Sequence, residues 1–134
     1  VIYVDVFNCH VALAVNLTSK QILSHMIRRI NKAQDRNRER EKLFLENLIR
    51  ELSNWDENPY TGGLCIHHQG GITVTVRLNK GAFRKAVAIL SHEMTHATQY
   101  ILRQRRIPLN EDTEEIYAYL QDFLLRDALF QIYE

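Results

Sequence analysis

The hydrophobic positions of this chain follow two periods. Val1–Phe7 reads Val-Ile-Tyr-Val-Asp-Val-Phe and Val11–Val15 reads Val-Ala-Leu-Ala-Val, with Asn8, Cys9 and His10 between them. Two runs of β-favouring residues around a short polar break predict a β-hairpin with His10 at its solvated tip. The period then lengthens. Ile22, Leu23, Met26, Ile27 and Ile30 recur at helical spacing after Thr18 and Ser19, either of which can cap a helix that packs on the sheet. Leu43, Phe44, Leu48, Ile49 and Leu52 describe a second amphipathic helix, which Asn58-Pro59 stops because proline holds the residue before it extended. Trp55 and Tyr60 are placed to pack over that corner.

Leu64–His67 and Ile72–Leu78 flank Gly70-Gly71 and predict a second hairpin. In its second run Thr73, Thr75 and Arg77 alternate with Ile72, Val74, Val76 and Leu78, the pattern of a half-buried strand. From Ala82 to Arg103 there is neither Gly nor Pro, and Phe83, Val87, Leu90, Met94, Ala97 and Ile101 form one apolar stripe of a helix. Arg84, Ser91, Thr95 and Thr98 form its solvated arc. Arg103, Arg105 and Arg106 place cations at its C-terminal end, where the helix dipole favours them, and Pro108 blocks continuation. A last helix, capped among Asn110–Thr113, runs to Tyr133 with a broad apolar surface. The expected fold is α+β: a small, mostly antiparallel sheet packed on helices, in a single domain over residues 1–134.

The chemistry sits on the third helix. In His92-Glu-Met-Thr-His96 two imidazoles stand four residues apart, about 6 Å along the axis and on one side of the helix, with Glu93 beside them. Both can bind one ion. Zinc suits such a pair, because it takes neutral imidazole nitrogen and carboxylate oxygen in a tetrahedron and a catalytic site leaves one position to water. Glu93 would then be the base. Ile89 and Tyr100 flank the histidines, so this face also is expected to be covered, by the last helix returning over the metal. The alternative is a pair of surface histidines on an amphipathic helix.

Charge and composition narrow the possibilities. The 17 basic and 16 acidic residues leave a net +1, which gives no electrostatic case for nucleic acid or an anionic membrane. The charged stretch Asn31–Lys42 carries Asp35, Glu39 and Glu41 among its cations and no aromatic residue, and reads as a solvated face or an inter-helix turn. No apolar run approaches the ~20 residues of a membrane span, and no signal peptide is recognisable. Because the chain begins at Val1, a removed leader or trimmed start stays open. Cys9 and Cys65 lack ligand or redox spacing; free buried thiols and a cytoplasmic location are expected, with one disulfide as the alternative.

A third metal ligand must come from the returning segment. The extension after His96 holds Gln99 and Leu102 where a metzincin requires glycine and histidine, so that class is excluded. Glu115 follows His96 by 18 intervening residues, in Glu115-Ile-Tyr-Ala118. Here the sequence resembles the gluzincin metallopeptidases, whose pattern is HExxH, about 18 residues, then Glu on a following helix, often as ExxA. More narrowly, TGGL at residues 61–64, SHEMTHA and DTEEIYAYL at residues 112–120 resemble small zinc peptidase-like proteins encoded by phages and prophages. The resemblance is definite over the C-terminal half, and it implies a minimal zincin-like fold with His92, His96 and Glu115 as zinc ligands and Glu93 as catalytic base. Glu114, about 100° around the helix, is the competing ligand. The structural reading of Glu115 is a capping box with Asp112.

These residues lead to an expected activity, zinc-dependent hydrolysis of a peptide or protein substrate. Tyr100, Tyr117 and Tyr119 are candidates by position for stabilising an oxyanion, and His67 or His68 for a closing ligand. If the strand Ile72–Leu78 lies at the sheet edge above the metal helix, its free backbone can hold an extended peptide. A zinc-stabilised interaction protein, binding a host factor without turning it over, is the alternative of a different class. A peptidase dedicated to one repressor is a third reading with the same chemistry.

Overall fold

The structure is a computed structural model that describes residues 2–6, 9–32, 37–68, 71–79 and 81–133, giving the backbone alone for 2–6. Phe7, Asn8, Gly70 and residues 33–36 of the charged stretch lie outside the described residues. The element order is β1 (Ile2–Val6), β2 (Cys9–Val15), α1 (Ser19–Asn31), α2 (Arg38–Glu57), β3 (Gly63–His68), β4 (Gly71–Val76), α3 (Phe83–Gln104) and α4 (Glu114–Tyr133). The fold is α+β. Both expected hairpins form, and His10 lies inside β2 opposite Asp5 instead of at a tip.

The four strands lie in the order β1-β2-β4-β3. Two pairings are antiparallel, β1 with β2 and β3 with β4, while β2 and β4 run parallel with Val11 opposite Ile72 and Val15 opposite Val76. The pair α1 and α2 connects the hairpins. Thr18 caps α1 in a full capping box with Gln21, its hydroxyl accepting from the Gln21 N–H and its own N–H donating to the Gln21 side chain. Asn16, at φ 55°, brackets Leu78 with both side-chain hydrogen bonds and so ties the ends of β2 and β4.

The sheet is covered on both faces. On one, Val11, Leu13, Ile72, Val74 and Val76 pack with Leu90, Met94, Ala97 and Ile101 of α3 and Leu120, Leu124 and Ala128 of α4. On the other, Ile66 packs with Ile22 and Met26 of α1 and Leu48, Leu52 and Trp55 of α2. The threonine face of β4 is therefore not solvated: Thr73 and Thr75 are fully buried. Burial of a polar face requires partners. The Arg29 guanidinium donates to the Thr73 hydroxyl and to the Ile72 carbonyl, and His68 Nε2 lies 3.2 Å from the same hydroxyl. Arg77 stacks its guanidinium 3.6 Å over the Trp55 ring and donates to the carbonyls of Trp55, Asn58 and Thr61, which fastens the end of α2 to the sheet. Tyr60, in contrast, is 95% exposed and packs over nothing.

Burial holds His68 and His25 well below the usual imidazole range, at about 3 and about 4, with the Arg29 charge second in each case. An unfolded chain takes up these protons near pH 6.5, whereas the folded chain refuses them until far lower pH. Stability is thus flat at neutral pH and falls as pH drops below about 6.5, by about 1 kcal/mol per unit for each histidine. Chemical denaturation across pH 4 to 7 checks this, and His68→Gln is expected to make the fall distinctly shallower.

Candidate metal centre

Helix α3 crosses the sheet with a different neighbour on each arc of its circumference. Ala86, Leu90, Met94, Ala97 and Ile101 are buried against the strands. Ser91 and Thr95, expected to be solvated, meet α4 instead: the Gln121 amide donates to the Thr95 hydroxyl at 2.7 Å and approaches the Ser91 carbonyl at 3.4 Å. Thr98 is buried. His92 and His96 are exposed, so α4 packs beside the histidines and does not cover them.

The two imidazoles converge. His92 Nε2 and His96 Nε2 lie 3.2 Å apart with their rings nearly perpendicular. Two nitrogens bound to one tetrahedral zinc at about 2.05 Å would stand about 3.3 Å apart, so the pair fits a shared divalent ion. At the same distance the two rings can share a proton. Glu93 stands on the inner side of the pair. Its side chain is 5% exposed, its carboxylate accepts no hydrogen bond from any described residue, and burial raises its pKa against the opposing influence of His92 and then His96. Its carboxylate oxygens are not among the fully buried unpartnered atoms, so the group keeps a contact with solvent while most of the side chain is enclosed, and carboxyls with perturbed pKa concentrate where chemistry needs them.

Glycine makes this placement possible. Strand β3 is the edge of the sheet and lies along α3 in the same direction, with Gly62 at Ile89, Gly63 at Glu93 and His67 at Tyr100. A Cβ on Gly63 would stand 2.5 Å from Glu93 Cγ and 2.7 Å from its Oε1, and one on Gly62 would meet Ile89 Cδ1 at 2.6 Å. A side chain at either position would displace the Ile89 or Glu93 side chain from where it lies against the strand. The edge position belongs to β3; β4, the strand expected there, is interior.

Alternation along β3 turns Gly63, Cys65 and His67 toward α3 and Ile66 toward α1 and α2. His67 stacks on Tyr100 with ring centroids 4.0 Å apart. Its pKa is lowered by desolvation first, then by Arg103 and by His96. Of the two histidines that the sequence offered, His67 is the one that belongs to this site, and the two-residue period of the strand, counted from Gly63, separates it from His68. His68 faces the other way. Cys65 is held protonated, its pKa pushed up to about 12 by burial and then by Glu93, and both cysteines are free. A thiol so protonated is a poor ligand.

The carboxylates of the returning segment are placed by a compact turn. Helix α3 ends with Arg106 at φ 58°, Arg106 N–H donating to the Arg103 carbonyl and Ile107 N–H to the Leu102 carbonyl, which together make a Schellman motif. Asn110 then opens α4: its Oδ1 accepts from the N–H groups of Asp112 and Thr113, and its carbonyl from that of Glu114. The Asp112 N–H that a capping box would offer to Glu115 is taken, so Glu115 is not a cap. Glu114 and Glu115 are both exposed in the first turn of α4. Among the described residues no three His, Cys, Asp or Glu side chains converge as a metal site; the structure joins His92 with His96 and brings neither glutamate to them. Of the tyrosines, Tyr117 donates to the Ile107 carbonyl and Tyr119 is 71% exposed, while Tyr100 faces β3 with its phenol pKa raised by burial, then by Cys9 and Cys65.

Compared with protein-family models, with curated proteins and with solved structures, the chain matches none. Among the described residues no helix is long and apolar enough to cross a membrane.

The glycine contact is open to test. Gly63→Ala is expected to destabilise the fold by about 1 to 3 kcal/mol through overpacking, whereas Gly81→Ala, near only the Asn79 side chain, costs much less. Denaturant titration of the two variants gives the comparison.

Proposed function

We propose that the chain is a zinc-dependent metallopeptidase in which His92 and His96 hold the ion, a carboxylate from the start of α4 completes its protein ligands, and Glu93 is the general base. The observation that carries this reading is the largely buried Glu93 side chain, its pKa raised, next to two imidazole nitrogens spaced as one zinc would hold them. The gluzincin-like spacing assigns the third ligand to Glu115, with Glu114 as the competitor.

Zinc, when bound, supplies the Lewis acidity that polarises a carbonyl and lets a water ionise near neutral pH. The remaining work belongs to the chain. Glu93 accepts the proton of the attacking water and delivers it to the departing amine; burial, by raising its pKa, makes it a stronger base for the first step. Strand β3, paired on one side only among the described residues, offers its outer backbone groups to an extended peptide, which would lie over the imidazole pair. Tyr100 and His67 line that edge with a protonated phenol and a neutral imidazole.

A second reading rests on His67. Its ring stacks on Tyr100, one turn along α3 from His96, which makes it a candidate for a further protein ligand, and a metal held on all sides by protein is structural. The chain would then be a zinc-stabilised interaction protein.

Metal analysis combined with cleavage of a peptide library separates the two. Glu93→Gln is expected to keep about one zinc per chain and to lose hydrolysis by at least about 100-fold, while His92→Ala and His96→Ala lose the metal. Equal cleavage by Glu93→Gln refutes the assigned base. Loss of zinc on His67→Ala, without glutamate-dependent cleavage in the parent, establishes the structural site.

A further inference from the structure

A cavity of about 640 Å³ opens one turn beyond the histidines, lined by Gln99 and Arg103 of α3, by Arg106, Ile107, Pro108 and Leu109 of the turn, and by Tyr117 of α4. Its polar lining is cationic. Of the three arginines in this region, Arg103 and Arg106 border the cavity and Arg105 does not; Arg103 also acts on His67 of β3, and Arg105 acts on Cys9. Among the described residues neither Arg103 nor Arg106 is in an ion pair or a hydrogen bond through its guanidinium.

The backbone adds a second observation. Arg106 sits at φ 58° in the position where a Schellman motif normally takes glycine. A long cationic side chain is carried there at the cost of a strained conformation, and strain of this kind collects where a side chain is needed. The wall behind it is rigid: Tyr117 donates to the Ile107 carbonyl at 2.6 Å, and the Thr113 hydroxyl bonds the Pro108 carbonyl.

We infer that this cavity is a subsite for an acidic side chain of the peptide, with Arg103 and Arg106 pairing its carboxylate. The inference rests on the peptidase reading for the direction of the chain. His92, His96, Gln99 and Arg103 follow one line along α3, and seven residues of helix place Arg103 about 10 Å beyond His96. Because β3 runs with α3, a peptide paired antiparallel to β3 runs against the helix, and its residues N-terminal to the scissile bond lie toward Arg103. At about 3.3 Å per residue the acidic position is about three residues before that bond.

The test uses zinc-loaded Glu93→Gln protein and capped, fluorescein-labelled uncharged octapeptides bearing one Glu, Gln or Lys, with binding read by anisotropy. The Glu peptide is expected to bind several-fold more tightly than the Gln peptide and the Lys peptide least, with the difference shrinking at high salt. Arg103→Gln and Arg106→Gly each reduce that preference, the double variant abolishes it, and Arg106→Gly raises the melting temperature by relieving its backbone. Equal affinity for the three peptides, or an acidic preference that survives the double substitution, overturns the subsite. Wild-type cleavage of the same peptides is scored separately: preferential binding without cleavage defeats the peptidase reading and leaves the acidic subsite standing. In an active enzyme, cleavage about three residues after Glu fixes the direction, and cleavage before Glu contradicts it.

Discussion

The close approach of α3 to the edge strand β3 is the contact on which the site depends. Two adjacent glycines, Gly62 and Gly63, remove the side chains that Ile89 and Glu93 would otherwise strike. Helix and strand can then run together from Gly62 to His67. That contact buries Glu93 while the turn of the helix leaves His92 and His96 outward. One acidic side chain is largely enclosed and two imidazoles face solvent, within two turns of a single helix. The proposed division of roles, Glu93 as base and the two imidazoles as ligands, rests on that placement.

The rest of the chain holds this contact in place. The parallel pairing of β2 with β4 puts β3 at the edge, and the crossover through α1 and α2 covers the second face of the sheet. That cover has a cost, the burial of Thr73 and Thr75, which Arg29 and His68 offset at Thr73 through hydrogen bonds. On the first face α4 packs along Ser91 and Thr95 and leaves the histidine arc open. The open histidine arc and the arginine-lined cavity beyond Gln99 lie along the same side of α3.

Much of this was legible in the sequence. The helical elements follow from apolar period and caps: Thr18, Asn58 and the glycine-free run before Arg103 each mark what the structure shows. Strand order was not legible, because a hairpin pattern does not say which of its two strands joins the other hairpin. One clue lay in Val11–Val15, apolar at every position, as strands buried on both faces and paired in parallel tend to be. Reading it would have placed helices on both sides and predicted buried threonines in β4. Ser91 and Thr95 looked solvated because hydroxyls suit water, and nothing local announced that Gln121 would meet them. The histidine pair and Glu93 came from spacing alone. His67 and His68 were both candidates, and the two-residue period of β3 counted from Gly63 was the clue that set His67 toward α3.

The central claim is that one zinc ion joins His92, His96 and a carboxylate of α4 while keeping a place for water. Anomalous scattering at the zinc edge from crystals of the zinc-loaded protein measures this directly. The account predicts a single strong peak about 2 Å from both Nε2 atoms, a carboxylate oxygen of Glu115 or Glu114 in the third position and a solvent molecule in the fourth. A peak away from the two histidines, or one enclosed by His67 with no solvent bound, would contradict it.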